Sequence, residues 1–231
     1  MSGIMMMVLG GVGGPPPPPP LPTIGSAYGG GFFAGQISTA ANGVATHNLV
    51  VGPRSTAQSS GTIAWSSSTS SLPGASSTID GPANTAAMIA DGTASYPAAQ
   101  FCVGLSVGGF SDWYMPALNE LDVCYFNLKP STDSNETQGP SVGGINPNAV
   151  PSRNSTYTSG VPAQTSAADF QSGNSESFTS DFSIFGYWTS TEDAASAFAA
   201  RLVNFRSGQR GTAFKTYAYY CPVRAIRRVT I

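Results

Sequence analysis

Charge is scarce in this chain. Only 10% of its 231 residues are Asp, Glu, Lys or Arg, against the roughly 25% of an ordinary soluble domain. The first basic residue is Arg54, and the net charge is -2. Nucleic-acid binding needs clustered cations to neutralise phosphates, so this balance argues against it. It also argues against a basic membrane-surface patch. Histidine is rarer still. His47 is the only one, so a His base, a His-ligated metal or a Ser-His-Asp triad would all depend on that residue. It sits in ATHNLVV, which has no nucleophile signature. Cysteine occurs three times, at Cys102, Cys124 and Cys221, never as a CxxC pair. An odd count argues against a disulfide framework, and the spacing argues against zinc. We expect three buried small hydrophobes, no cofactor and no enzyme activity.

Long apolar runs are missing too. The longest candidate, Ile4–Val12, is far short of the ~20 residues a membrane span requires, so no membrane insertion is expected. No positive side chain precedes it and prolines follow it, which departs from a secretory leader. What the start does hold is an uncharged apolar peptide, with Ile4, Met5, Met6, Met7, Val8 and Leu9 at its centre, then six prolines at 15–20. A polyproline II run of that length spans roughly 19 Å. An apolar plug on a stiff stem predicts an assembly anchor seated in a neighbouring protein. We divide the chain into residues 1–31, comprising anchor, stem and a Gly-rich joint (GSAYGGG), and a globular domain over 32–231.

Within the domain, Gly35-Gln-Ile-Ser and HNLVV at 47–51 predict a hairpin turning at Ala41-Asn42-Gly43. GTIAW at 61–65 predicts a short strand inside a Ser/Thr-rich loop. A first helix starting near Gly81-Pro82 or at Asn84 and running to Asp91, and a second over 96–105, predict a bipartite helical region. Leu118, Leu121, Tyr125 and Leu128 fall on one helix face, in a helix starting at Pro116 and ending before Pro130. Residues 131–180 are polar and low in apolar side chains, the pattern of a functional or surface excursion. Four strands are then predicted, over 187–191, 198–205, 214–220 and 221–231, with a turn at 206–211 joining the second and third. The inventory is α+β. Arg224, Arg227 and Arg228 crowd the last strand. We expect at least one of them to be paired with a carboxylate such as Asp112, Glu120 or Glu192.

Three blocks, GGFSDWYMPALNEL at 108–121, FGYWTSTE at 185–192 and CPVRAIRRV at 221–229, carry a resemblance. In the first, Asp112, Trp113, Pro116, Glu120 and Leu121 match G-G-x-x-D-W-x-L-P-x-x-x-E-L. In the second, Tyr187, Trp188, Ser190, Thr191 and Glu192 match Y-W-S-S-T-E. In the third, Val223, Arg224 and Arg227 match V-R-x-V-R. Together they resemble the C-terminal domain of collagen-like bacterial adhesins, which recurs in bacteriophage tail proteins. The resemblance implies a C-type-lectin-like fold with two helices, small antiparallel sheets and long loops, preceded here by the extended tail. It implies that Trp113, Pro116, Glu120, Trp188, Glu192, Arg224 and Arg227 are structural core residues. The calcium-site tripeptides of true C-type lectins are absent. The nearest, Asn146-Pro147-Asn148, lacks the carboxylate, so no metal is expected.

Those expectations converge on a bacteriophage virion structural protein, a tail-fibre or tail-tip adhesion subunit assembled in the host cytoplasm. Its partners would be other virion proteins, through the N-terminal peptide, and a host cell-surface glycan or protein. Homo-oligomerisation is expected, and a six-proline stem suits a threefold bundle. A capsid decoration or head-fibre protein is the alternative, and a secreted bacterial adhesin a further one. The resemblance places ligand contact on the C-terminal strands and their turn. Arg206, Gln209, Arg210 and Lys215 are the side chains expected to be exposed there, and Tyr217 and Tyr219 are candidates beside them.

Overall fold

The structure is a computed structural model that describes residues 20–219 and 221–231. The predicted anchor residues Ile4–Leu9 and most of the proline stem lie outside the described residues. The elements in chain order are β1 (Ala27–Tyr28), β2 (Gly31–Ile37), β3 (His47–Val51) and the single-turn α1 (Arg54–Ala57). Next come α2 (Gly81–Gly92), α3 (Pro97–Val103), α4 (Leu118–Leu128) and β4 (Ala149–Val150). Strands β5 (Tyr187–Glu192), β6 (Ala199–Val203), β7 (Thr212–Phe214) and β8 (Ile226–Thr230) close the chain. The protein is mixed α+β with antiparallel sheets. Among the described residues, no helix is long and apolar enough to cross a membrane.

One sheet runs β1-β2-β3-β8, with β4 also paired to β2, and the other runs β5-β6-β7. Strand β8 lies antiparallel to β3, from Ile226 opposite Val51 to Thr230 opposite His47, so the two ends of the domain share one sheet. The stretch expected to be a flexible joint is instead paired. Ala27 and Tyr28 lie opposite Phe32 and Gly31, and β2 starts one residue before the boundary we expected. Strand β2 is irregular between Phe33 and Gly35. Gly35 holds φ +124°, and a Cβ there would lie 2.4 Å from the Asn127 amide of α4. Glycine thus allows α4 to press on the strand, where the Asn127 amide donates to the Ala34 carbonyl at 2.8 Å.

Helix α4 is interior on nearly all sides. The predicted face of Leu118, Leu121, Tyr125 and Leu128 is buried, and so are Asn119, Glu120, Asp122 and Cys124. It begins two residues later than Pro116. Ala117 is its N-cap and has no side chain to accept, so two other residues supply the missing bonds. The Glu120 carboxylate reaches back to the Ala117 N–H at 2.8 Å, and the Thr191 hydroxyl of β5 accepts the Leu118 N–H at 3.0 Å. The Pro116 carbonyl accepts from the Ser190 N–H at 2.7 Å. The DWYMP and YWTSTE blocks therefore build one helix N-terminus between them.

Two apolar clusters result. One joins α4 and the β2-β3-β8 sheet with Tyr157, Phe170, Phe178, Tyr187 and Phe205. The other gathers Trp65, Trp113, Trp188, Met88, Cys102 and Leu202. The first cluster corrects the reading of 131–180 as a surface excursion. That stretch has little regular structure, yet Tyr157, Phe170 and Phe178 are core residues. Its polar side chains satisfy the backbone that regular elements would otherwise pair. The Asn135 amide donates to the carbonyls of Thr158 and Pro162, and the Asn146 amide donates to that of Asn119. GTIAW is not a strand; Ile63 and Trp65 make isolated backbone bonds to Cys221 and Lys215. The strand expected over 214–220 is not formed: β7 lies before it, ends at Phe214, and the chain then turns. The last strand is shorter than expected, since β8 starts at Ile226.

Candidate functional site

The six expected contact residues do not form one patch. Gln209, Tyr217 and Tyr219 are exposed. Arg206 is half-covered; its guanidinium stacks 3.3 Å over the Phe182 ring and lies 3.2 Å from Asp133. Arg210 is mostly covered and sits 2.8 Å from the buried Asp122 carboxylate. Lys215 is buried, which overturns its expected exposure. Its ammonium lies 2.7 Å from Glu192 and 2.6 Å from the Ser70 carbonyl, beside the Trp65 ring. Lys215 directly follows β7, where its N–H donates to the Phe198 carbonyl at 2.9 Å and its carbonyl accepts from the Trp65 N–H at 2.9 Å; held there, its side chain is enclosed while that of Phe214 stays exposed. Phe205, in the same predicted segment, is also core. Arg206–Arg210 and Tyr217 lie at opposite ends of the β6–β7 hairpin.

The remaining basic residues hold the chain together. Arg224 bonds Glu176 at 2.7 Å, Arg227 bonds Asp112 at 2.7 Å, and Arg228 bonds Glu120 at 2.7 Å. Two of these pairs are of the kind expected: Asp112 serves Arg227, and Glu120 serves Arg228. Glu192 serves Lys215 instead of an arginine of the last strand. The partner of Arg224 is Glu176, which the sequence blocks did not contain. Asp122 binds both Arg153 and Arg210 and accepts from the Tyr157 hydroxyl at 2.8 Å. Burial raises the Glu120 carboxyl above its usual range despite Arg228 beside it. The Arg227 hydrogen bond lowers Asp112. Burial pushes the thiols of Cys102, Cys124 and Cys221 upward, away from reactive thiolate.

His47 bonds its neighbour Thr46 at 2.9 Å, and its pKa is lowered by burial and then by Arg228, with Asp80 opposing. An unfolded histidine takes a proton near pH 6.5, before the folded one does. Stability contributed here is therefore expected to fall as pH drops below about 6.5, where the unfolded histidine takes up its proton first. His47→Gln should flatten that slope in urea titrations; an unchanged slope would contradict it.

What the structure does assemble is an aromatic groove of about 430 Å³ on the β5-β6-β7 sheet. One face of the sheet carries Trp188, Ala200, Leu202 and Ala213 into the second cluster. On the other face, Tyr187 and Val203 reach the first cluster. That core ends before the next cross-strand pairs, Arg201–Thr212 and Ala199–Phe214. The small Ala199 side chain leaves a floor, and Phe185, Phe214 and Tyr217 form the walls. Phe185 is 53% exposed and Phe214 is 54% exposed, values that rule out a core role for either. The rings of Phe214 and Tyr217 meet edge to face with centroids 5.2 Å apart. Tyr219 and Phe198 are also exposed, but they do not line the groove.

The polar groups on the groove are Asp193, Ser196 and Thr212. Asp193 is fixed by the Arg201 guanidinium at 3.2 Å and by its own N–H on the Ala199 carbonyl at 3.0 Å. Gly186 adopts φ +155°, where a Cβ would strike the Val203 carbonyl at 2.5 Å; this close approach positions Phe185. Of these residues only Tyr217 was expected. Phe185 was hidden inside the FGYWTSTE block, and Asp193 and Thr212 had no motif to mark them.

A larger groove of about 600 Å³ runs between α2 and Trp113. Its charged rim residues, Asp112 and Arg228, are already committed to Arg227 and Glu120. Among the described residues, no group of three or more His, Cys, Asp or Glu side chains could hold a metal ion. No protein-family model, curated protein or solved structure matches the chain.

Proposed function

We propose that this chain is a bacteriophage virion structural protein, a tail-fibre or tail-tip subunit that contacts the host surface through a C-type-lectin-like domain. The observation that carries the reading is the aromatic groove. In a chain most of whose cations are paired with internal carboxylates, the exposed aromatic rings of Phe185, Phe214 and Tyr217 around a small floor support a contact role for this face. The three resembling blocks support the fold. Their matched residues include scaffold side chains, with Trp113 and Trp188 buried and Glu120, Glu192, Arg224 and Arg227 in ion pairs. The pairing of β8 with β3 suits a lectin-like domain, which joins its terminal strands. The apolar peptide and proline stem at 1–20 supply the anchor. No step of the reading requires a cofactor, a nucleic acid or catalysis.

The purified chain should compete with intact particles for adsorption to host cells. Phe214→Ala/Tyr217→Ala should raise the concentration needed about tenfold or more, as loss of hot-spot aromatics does. Equal competition by the double variant would contradict the groove's role. A chain lacking residues 1–22 should compete normally yet fail to enter particles. Normal incorporation would contradict the anchor.

A further inference from the structure

Arg54 stands apart from the basic residues that hold the chain together. Eight of the ten cations pair with carboxylates, and Lys129 is bonded to the carbonyls of Asp133 and Pro162. Arg54 donates its backbone N–H to Glu176 at 2.7 Å, but among the described residues its guanidinium has no hydrogen bond and no ion pair. It lines a pocket of about 340 Å³ with Ser172, Thr179, Ser180 and Asp181. We propose that this pocket binds a singly charged phosphodiester, with the Arg54 guanidinium on its charged oxygens and the three hydroxyls donating around it. The pocket shares no lining residue with the aromatic groove, so the proposal goes beyond the host-contact reading and does not depend on it.

Unbalanced charge is the first argument. The Glu176 carboxylate accepts from the buried Arg224 guanidinium at 2.7 Å and, through the same oxygen, from the Arg54 N–H. Burial holds Arg224 below its usual range, and Arg54 is among the charges that add to this. Two arginines thus share the neighbourhood of one carboxylate, and an anion at Arg54 supplies the missing charge. Asp181 does not supply it. That residue is exposed, has no ion pair among the described residues, and its carboxylate accepts from the Ser183 N–H at 2.8 Å.

The donor set is the second argument. A guanidinium only donates, and a hydroxyl can do so. Thr179 Oγ1 already accepts from the Asp181 N–H at 3.3 Å, which leaves its proton to give. The Ser172 and Ser180 hydroxyls lie 3.4 Å apart, close enough to donate to one acceptor. Tetrahedral phosphoryl oxygens suit donors that come from three chain segments, whereas a planar carboxylate is matched by the guanidinium fork alone. Asp181 in the same lining disfavours the second charge of a phosphate monoester.

The donors are also held in place. The Thr179 N–H donates to the Tyr187 hydroxyl at 2.9 Å, and the Ser172 N–H donates to the Pro130 carbonyl at 2.9 Å. Between them the Phe178 ring stacks on Phe205 with centroids 3.8 Å apart, inside the first cluster. The volume falls at the small end of the range for small-ligand sites.

Saturation-transfer NMR on the full-length chain tests this, with glycerophosphoglycerol, acetate and inorganic phosphate as probes at about pH 8, where inorganic phosphate carries its second charge. Glycerophosphoglycerol is expected to bind saturably, and more weakly as salt rises. Arg54→Gln should weaken it about tenfold, with Arg54→Lys in between. Neither variant should lower the melting temperature, because the guanidinium has no internal partner. No saturable binding, equal binding by Arg54→Gln, or acetate or inorganic phosphate bound as tightly as the diester would overturn the proposal. A melting temperature lowered by Arg54→Gln would overturn it too, since the guanidinium would then be committed inside the fold. Cosedimentation with phosphatidylglycerol vesicles that Arg54→Gln abolishes assigns the diester to a lipid headgroup. Binding of the soluble diester without cosedimentation assigns it to a diester outside a membrane, and either source supports the proposal.

Discussion

Trp188→Ala is expected to lower the unfolding free energy by about 3–5 kcal/mol, the range for deleting a large aromatic side chain from a core. Trp188 is fully buried in the second cluster, opposite Leu202 on β6. Its indole N–H donates to the Ile63 carbonyl at 2.7 Å, and its backbone N–H donates to the Pro222 carbonyl at 3.0 Å. The side chain thus pins the loop around Ile63, which has no regular structure of its own, to the β5 strand. Alanine would leave both a cavity and an unbonded carbonyl, so the cost belongs at the upper end of the range. The midpoint of urea unfolding measures it. A loss under about 1 kcal/mol would mean that the loop is held by something else.

The buried Lys215–Glu192 pair should produce the second large effect. Glu192 accepts from Lys215 at 2.7 Å through one oxygen and from the Leu72 N–H at 2.8 Å through the other. Glu192→Ala would strand an ammonium that is completely enclosed, and breaking a buried pair from one side costs about 3–5 kcal/mol. Adding Lys215→Met should recover part of that loss, because the uncompensated charge goes with it. The shortfall would report the Leu72 N–H and Ser70 carbonyl left without partners. If Glu192→Ala alone proves mild, water reaches Lys215 and the pair is not a closed one. If the double variant is no better than the single, the loss comes from the Leu72 bond and not from the charge.

Lys215 also shows where sequence reading runs out. Its neighbours Phe214 and Tyr217 are apolar and exposed, and it is charged and buried. Composition alone points the opposite way for each. The deciding fact is register: Ala199 faces Phe214 across the hairpin, at a place where the sheet extends past its own core. Nothing within 198–215 records where that core ends, because the residues that form it, Phe170, Phe178 and Phe205, lie partly in a distant polar stretch. The same distance hid Glu176 as the partner of Arg224.

What was legible had local physics behind it. The apolar spacing in 118–128 marked α4, and the turn at 41–43 marked the β2–β3 hairpin. The blocks around Trp113 and Trp188 sit together because Thr191 and Glu120 cap the same helix end. Of the candidate site, only Tyr217 was named in advance. Its walls and its carboxylate come from three segments that the chain brings together only on folding.

Localising the chain by electron cryomicroscopy of intact particles tests the central claim most directly. The account predicts density at the tail, with the residues before Leu21 entering a neighbouring protein and the Phe185–Phe214–Tyr217 groove facing outward. Density spread over the capsid shell, or a groove sealed against another virion subunit, would contradict it.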